Sequence, residues 1–276
     1  MSVIANGPLA GKTLHWLVEH HREELLGTVP LQANCFPLLV KILDAQEKLS
    51  LQVHPPAHKA AELGGEPKTE MWYIADAVPG AELYVGLKRG VTRAAFERKI
   101  GNGTVADCFH RIPVRPGDTM FLPSGRLHAI GAGLVIFEIQ QNSDTTYRVF
   151  DWNRVDLDHK PRALHVTESL ESIDFADFEP GLVQSAFYGK GSTQQRQLVR
   201  DPLFTVEAVQ LRAGATAPLQ PRQMQILACL DGTLRVLDWH ATVGLSPGQF
   251  CLVPSCLDHV KVSADNEATF LRVNAG

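Results

Sequence analysis

Short apolar runs broken by Gly, Pro and Asp fill the first half of the chain: Leu38 to Leu43, Leu49 to Val53, Glu70 to Ile74, Glu82 to Gly86, Asp118 to Leu122 and Leu134 to Gln140. Their shortness and their β-branched and aromatic content predict strands, and their close spacing predicts a β-sandwich or barrel. Helical spacing shows in two places. Thr13 can cap a helix through Leu14, Leu17, Val18, Leu25 and Leu26, which Gly27 ends, and Thr92 to Ile100 before Gly101 is a shorter capped helix. Asp151 to Ile173 reads as a connecting region, polar from Asp156 to Arg162 and then helical from Thr167. Ser192 to Arg196 is a second polar stretch, after which strand-like runs resume near Phe204. The domain boundary falls close to 190, giving domains 1–190 and 191–276.

A repeat organises the whole. Pro116-Gly117-Asp118, Pro123 and His128 are echoed by Pro247-Gly248-Gln249, Pro254 and His259, each pair 131 positions apart. One β-fold has been duplicated. The second copy has Pro221-Arg222-Gln223-Met224-Gln225 upstream, with no counterpart of Gln52-Val53-His54, so it is expected to lack a metal and His259 to be structural.

Chemistry concentrates in the first copy. Alternate residues of a strand share a face, so Gln52 and His54 point the same way, as do Lys68 and Glu70. With His128 they supply two histidines, a carboxylate and an amide, a first shell for a divalent metal. Glu138 and Gln140 also share a face and line either a substrate pocket or simply the barrel.

Composition narrows the partners. The 276 residues carry a formal charge of −4, and without a long basic run neither nucleic acid nor an anionic membrane is an expected partner. Cys35, Cys108, Cys229, Cys251 and Cys256 form no CxxC pair, and the odd count argues against a disulfide framework. A reducing cytoplasm fits. The first residues lack the basic start and apolar run of a signal peptide, and no segment approaches the apolar length of a membrane span.

Gly117, Pro123, Gly125 and His128 resemble the second cupin motif, and Gln52-Val53-His54 with Glu70 a stretched first motif. The duplication makes the chain similar to a bicupin: mainly β, with two cupin-like β-barrel or jelly-roll domains and a few short helices. Within that superfamily it resembles the bacterial class I mannose-6-phosphate isomerases, through Phe36 to Lys41, Leu51 to Pro55, Lys68 to Trp72, His128 to Gly131 and Glu138 to Arg148. The second half matches loosely, and the chain begins where such relatives already have several strands.

The resemblance implies one zinc ion per chain on Gln52, His54, Glu70 and His128. It also implies a catalytic arginine at Arg148, polar active-site roles for Lys68 and Asp144, and a small sugar phosphate as partner. The implied reaction interconverts mannose 6-phosphate and fructose 6-phosphate through an enediol. Lys68 and Asp144 are rival bases for the C2 proton, whereas Arg148 stays protonated and suits the enediolate charge. Two other readings compete: a non-haem iron oxygenase on His54, Glu70 and His128, and an inactive sugar-phosphate-binding cupin.

Overall fold

The computed structural model describes residues 2–30, 35–155 and 159–276, so positions 156–158 of the polar connecting stretch lie outside the described residues. Two compact units form, Leu39–Val183, and Met1–Leu38 with Gln184–Gly276. The single helix expected after Thr13 is two, α1 (Leu14–His20) and α2 (Arg22–Leu26), because His21 leaves helical geometry at φ −137°, ψ 38°. Thr13 Oγ1 accepts the Trp16 N–H at 3.1 Å, as a cap should. Both helices pack in the second unit, where the Ser255 and Cys256 N–H groups donate to the carbonyls of Leu25 and Glu24 at 3.0 and 2.9 Å.

The Leu39–Val183 unit runs β1 (Leu38–Ala45), β2 (Leu51–Val53), α3 (Ala57–Ala60), β3 (Glu70–Ala77), β4 (Glu82–Leu87) and α4 (Arg93–Gly101). It continues with β5 (Phe109–Pro113), β6 (Thr119–Leu122), β7 (His128–Ile130), β8 (Leu134–Gln141), β9 (Tyr147–Phe150) and α5 (Val166–Ser172). The strands form two sheets, β1-β8-β3-β6 and β5-β4-β7-β2-β9. Trp72 and Ile74 from one sheet pack on Leu83, Val85 and Ile130 from the other. The second sheet buries its outer face too: Leu51, Val53, Tyr84 and Val149 pack with Phe96 of α4 and with Leu170 of α5. The helices are there to cover that face; burying Phe96 alone contributes roughly 1.5–3 kcal/mol.

The other unit adds β10 (Thr193–Arg200), β11 (Phe204–Leu211), β12 (Thr216–Pro218), β13 (Gln225–Asp231) and β14 (Leu234–Leu237). β15 (Thr242–Leu245), β16 (Phe250–Val253), β17 (Lys261–Ala264) and β18 (Ala268–Ala275) complete it. Its sheets are β10-β11-β18-β13-β16 and β12-β17-β14-β15, with Leu211, Leu227, Leu234, Val262 and Phe270 in the shared core. The polar stretch read from Ser192 to Arg196 enters β10 at Thr193. It is an edge strand, held by its backbone pairing to β11, so its side chains need not be apolar. No sheet closes on itself, so each unit is a jelly-roll sandwich of two facing sheets rather than a closed barrel.

Backbone register gives the duplication atomic meaning. The order β8-β3-β6 recurs as β18-β13-β16, and β4-β7-β2 as β14-β17-β12. Glu70 pairs with Leu122 and Gln140, whereas Gln225 pairs with Val253 and Asn274. Leu122 and Val253 are themselves 131 positions apart, so Gln225 occupies the place of Glu70. The repeated Pro-Gly turns agree, with Gly117 at φ 89° and Gly248 at φ 82°, a left-handed backbone that glycine adopts freely.

Candidate metal centre and the residues around it

Three strands set one wall of the site. Gln52 on β2 is in register with His128 on β7 and with Arg148 on β9, so these three side chains stand in a row on one face. His54 follows directly after β2, and its carbonyl accepts the N–H of Gly125 at 2.8 Å, fixing the turn that leads into β7. Glu70, first residue of β3, enters from the opposite sheet.

His54, Glu70 and His128 converge with ligand atoms within 4.8 Å of one another, each side chain about 1% exposed. His54 Nδ1 donates to the Thr145 carbonyl and His128 Nδ1 to the Arg126 carbonyl, both at 2.9 Å. With Nδ1 carrying the proton, each Nε2 is a lone pair, and these lie 3.5 and 3.3 Å from the two oxygens of Glu70. Burial holds both imidazoles neutral: it pushes His54 well below its ordinary pKa, with Lys68 adding to the effect, and takes His128 down to about 4. Buried acceptors thus face one another with no proton between them, and His54 Nε2 and Glu70 Oε1 have no hydrogen-bond partner. A divalent cation satisfies this donor set, and the backbone carbonyls behind the rings keep them oriented for it. Gln52 approaches His128 Nε2 to 3.2 Å through its amide nitrogen. Rotation of that amide by a half-turn presents the oxygen to the same spot.

The other expected residues surround this centre unequally. Lys68 is buried, with Nζ donating to Thr146 Oγ1 at 3.2 Å, and its pKa is lowered chiefly by burial against the opposing pull of Glu70 and Glu138. Asp144 is exposed on the loop after β8, near enough to contribute to the field at Lys68. Arg148 donates from Nη1 to the Ala163 carbonyl at 2.9 Å, while its Nε is buried without a partner. Gln140, beside Glu70 in register, donates its amide N–H to the Gln141 and Ser143 carbonyls and leaves Oε1 unpaired. Glu138 is committed: it accepts from Trp72 Nε1 at 2.9 Å and pairs with Lys41 Nζ at 2.6 Å. Burial and the nearby Glu70 raise its pKa.

Two contributors escaped the sequence reading. Lys41, in the middle of β1, compensates Glu138; its one sequence signal is a lysine within the apolar run Leu38 to Leu43. Arg126 grips Asp177 with two 2.8 Å bonds and the Phe121 carbonyl with a third, which fixes the turn whose carbonyl holds His128. A backbone acceptor leaves no trace in side-chain pattern.

In the second unit, Gln225 takes the place of Glu70, and continuing the β12–β17 register two residues past Pro218↔Lys261 brings Gln220 opposite His259, as Gln52 is opposite His128, with Arg222 at the place of His54. No strand like β2 forms at Gln220 to Arg222. Gln225 is fully buried and donates to the Gln220 and Gln223 carbonyls at 2.8 and 3.3 Å. His259, expected to be structural, is exposed and stands edge-on to Trp239 with ring centroids 5.7 Å apart.

A duplicated jelly roll with one buried His-Glu-His group defines a metal-binding protein of the cupin class. Residues 1–90 match the model of the phosphomannose isomerase type I catalytic domain. Over 268 residues the chain is 35% identical to mannose-6-phosphate isomerase of Streptococcus mutans, covering 97% of this chain and 83% of that one. It is 35% identical over 269 residues to the ManA mannose-6-phosphate isomerase of Bacillus subtilis, covering 95% and 82%. A crystal structure of mannose 6-phosphate isomerase from Bacillus subtilis superposes with a TM-score of 0.88 at 30% identity, covering 99% of this chain and 85% of that one. The chain belongs to the mannose-6-phosphate isomerase family.

Proposed function

We infer that the protein interconverts mannose 6-phosphate and fructose 6-phosphate, with one zinc ion on Gln52, His54, Glu70 and His128 and the catalytic work done by residues 1–190. The observation that carries this reading is the set of buried, mutually facing acceptors on His54, Glu70 and His128 in a chain of this family. Two imidazoles, a carboxylate and an amide oxygen suit zinc, and the bound ion supplies Lewis acidity toward the sugar's carbonyl and neighbouring hydroxyl oxygens. Arg148, a permanent cation in the row with Gln52 and His128, stabilises the negative charge of the enediolate. Lys68 is the group we assign to move the proton between C1 and C2: it is buried beside the acceptors, and burial favours its neutral amine. Asp144, on the solvent side, orients the sugar and supports Lys68. Gln140 Oε1 is available to a sugar hydroxyl, and Glu138, fixed by Lys41 and Trp72, shapes the same wall.

The second domain, residues 191–276, which lies in the unit that also holds Met1–Leu38, is read as metal-free. A cytoplasmic setting is consistent with five free cysteines, and among the described residues no helix is long and apolar enough to cross a membrane.

A coupled isomerase assay with metal analysis tests the assignment. Glu70→Ala should lose zinc and activity together. Arg148→Ala should keep zinc and lose about 10²–10³-fold in kcat, the scale of removing one transition-state donor. Full activity in Arg148→Ala would sink its role, and iron with substrate-dependent oxygen uptake would replace isomerisation by oxygenation.

A further inference from the structure

We propose that the second unit carries a binding site of its own, for a phosphorylated monosaccharide, at the place where the first unit gathers its metal-binding residues. A cavity of about 500 Å³ opens there, lined by Leu219, Pro221, Arg222, Asp258, His259 and Lys261 among others. Arg222 and His259 stand at the positions of His54 and His128. Substitution has removed the ligands without filling the space.

The lining has a definite chemistry. Two cations, Arg222 and Lys261, and one carboxylate, Asp258, line it. Asp258 Oδ1 accepts from the Arg222 Nε at 2.8 Å, so a ligand would be met through the Nη groups. A guanidinium beside an ammonium suits a phosphate monoester. Arg222 also holds φ 55°, a left-handed backbone that costs a non-glycine residue energy. The sugar-binding half is Trp239. Leu237 pairs with Lys261, so two residues further along the hairpin Trp239 comes opposite His259, matching the ring contact. Trp239 is 78% exposed, the largest exposure of any bulky apolar residue described, and its open ring is a platform for the C–H face of a pyranose or an extended polyol.

The probe is glucitol 6-phosphate, which has no carbonyl to isomerise, titrated into the zinc-loaded full chain while the indole N–H signals of its four tryptophans are followed by NMR. Trp239→Phe assigns the Trp239 signal. That signal should shift saturably, and Arg222→Ala with Lys261→Ala, or Lys261→Ala alone if the pair misfolds, should weaken the transition by about 10–100-fold while kcat/KM stays at the wild-type value. Unshifted signals of Trp16, Trp72 and Trp152 in the ligand-free variants establish that the fold is intact. A Trp239 signal that stays still at saturating probe overturns the proposal, as does wild-type affinity in the charge variants. Equal affinity for inorganic phosphate would reduce the site to a bare anion site and overturn the sugar half.

Discussion

Two copies of one sandwich share the strand orders β8-β3-β6 and β18-β13-β16, and β4-β7-β2 and β14-β17-β12, yet part company at the four positions of the metal centre. In the first, His54, Glu70 and His128 are buried together, and His54 Nε2 and Glu70 Oε1 have no hydrogen-bond partner. In the second, Gln225 replaces Glu70 and its amide donates to two backbone carbonyls, while His259 lies in solvent. The frame is shared and the demand for a cation is not. Both units leave a buried oxygen unpaired, Gln225 Oε1 in the second and Glu70 Oε1 in the first, but the first sets a carboxylate against two imidazoles, and acceptors facing one another in that way are built around a cation. The difference lies in very few atoms, since glutamate and glutamine have nearly the same shape.

The sharpest way to break the contrast is to give the first unit the second unit's residue. Glu70→Gln should abolish tight zinc binding, because the amide brings no charge and its N–H₂ competes for the imidazole lone pairs. Losing a cation worth several kcal/mol at the transition state corresponds to a fall of about 10³-fold or more in kcat/KM. Circular dichroism should show an unchanged fold. A Glu70→Gln protein that retains stoichiometric zinc, measured by elemental analysis, would mean that the carboxylate is not what separates the two units.

Much of the first unit was legible in the chain. Period-two alternation placed Gln52 with His54 and Lys68 with Glu70, and the Pro-x-Gly turn before His128 marked the third segment. The equally spaced Pro-Gly turns exposed the duplication. What escaped had physical reasons. β10 is polar because an edge strand is held by backbone bonds, and α1 and α2 read as one helix because His21 breaks the backbone without breaking the apolar spacing. The correspondence of Gln220 and Arg222 with Gln52 and His54 left no mark in the chain because it rests on extending the β12–β17 pairing and not on residue type. Lys41 and the Arg126 turn act through contacts distant in sequence.

The turn before His128 offers a graded test. Asp177 touches neither the metal-binding side chains nor any group assigned to the chemistry; it holds Arg126, whose carbonyl takes the His128 Nδ1 proton. Asp177→Ala should loosen that carbonyl and weaken zinc affinity by about 10–100-fold. At saturating zinc, KM for the sugar should stay near wild type and kcat should recover, and Asp177→Glu should restore part of the affinity. Unchanged affinity in a zinc-competition titration would make the pair a mere surface clasp. The second unit has Leu257 at the position of Arg126, so no comparable support exists there to lose.

The smallest effect separates the units by pH. His54 and His128 are the only buried histidines among the described residues, and burial lowers both pKa values, His128 to about 4. In the metal-free chain the unfolded state takes up protons at these groups below pH about 6.5, where the folded state does not. Unfolded chain therefore binds more protons across that window, and stability must fall as pH drops from about 6.5 toward 4, being fully present above it. Urea midpoints of the zinc-free protein should decline over that range. Gln52 cannot titrate and leaves the sign unchanged, whereas Glu70→Gln removes the carboxylate that supports protonation of His128 and should make the decline steeper. A midpoint independent of pH between 7 and 5 would mean that the two imidazoles open to water without unfolding, and the contrast between a sealed first site and an open second one would then be lost.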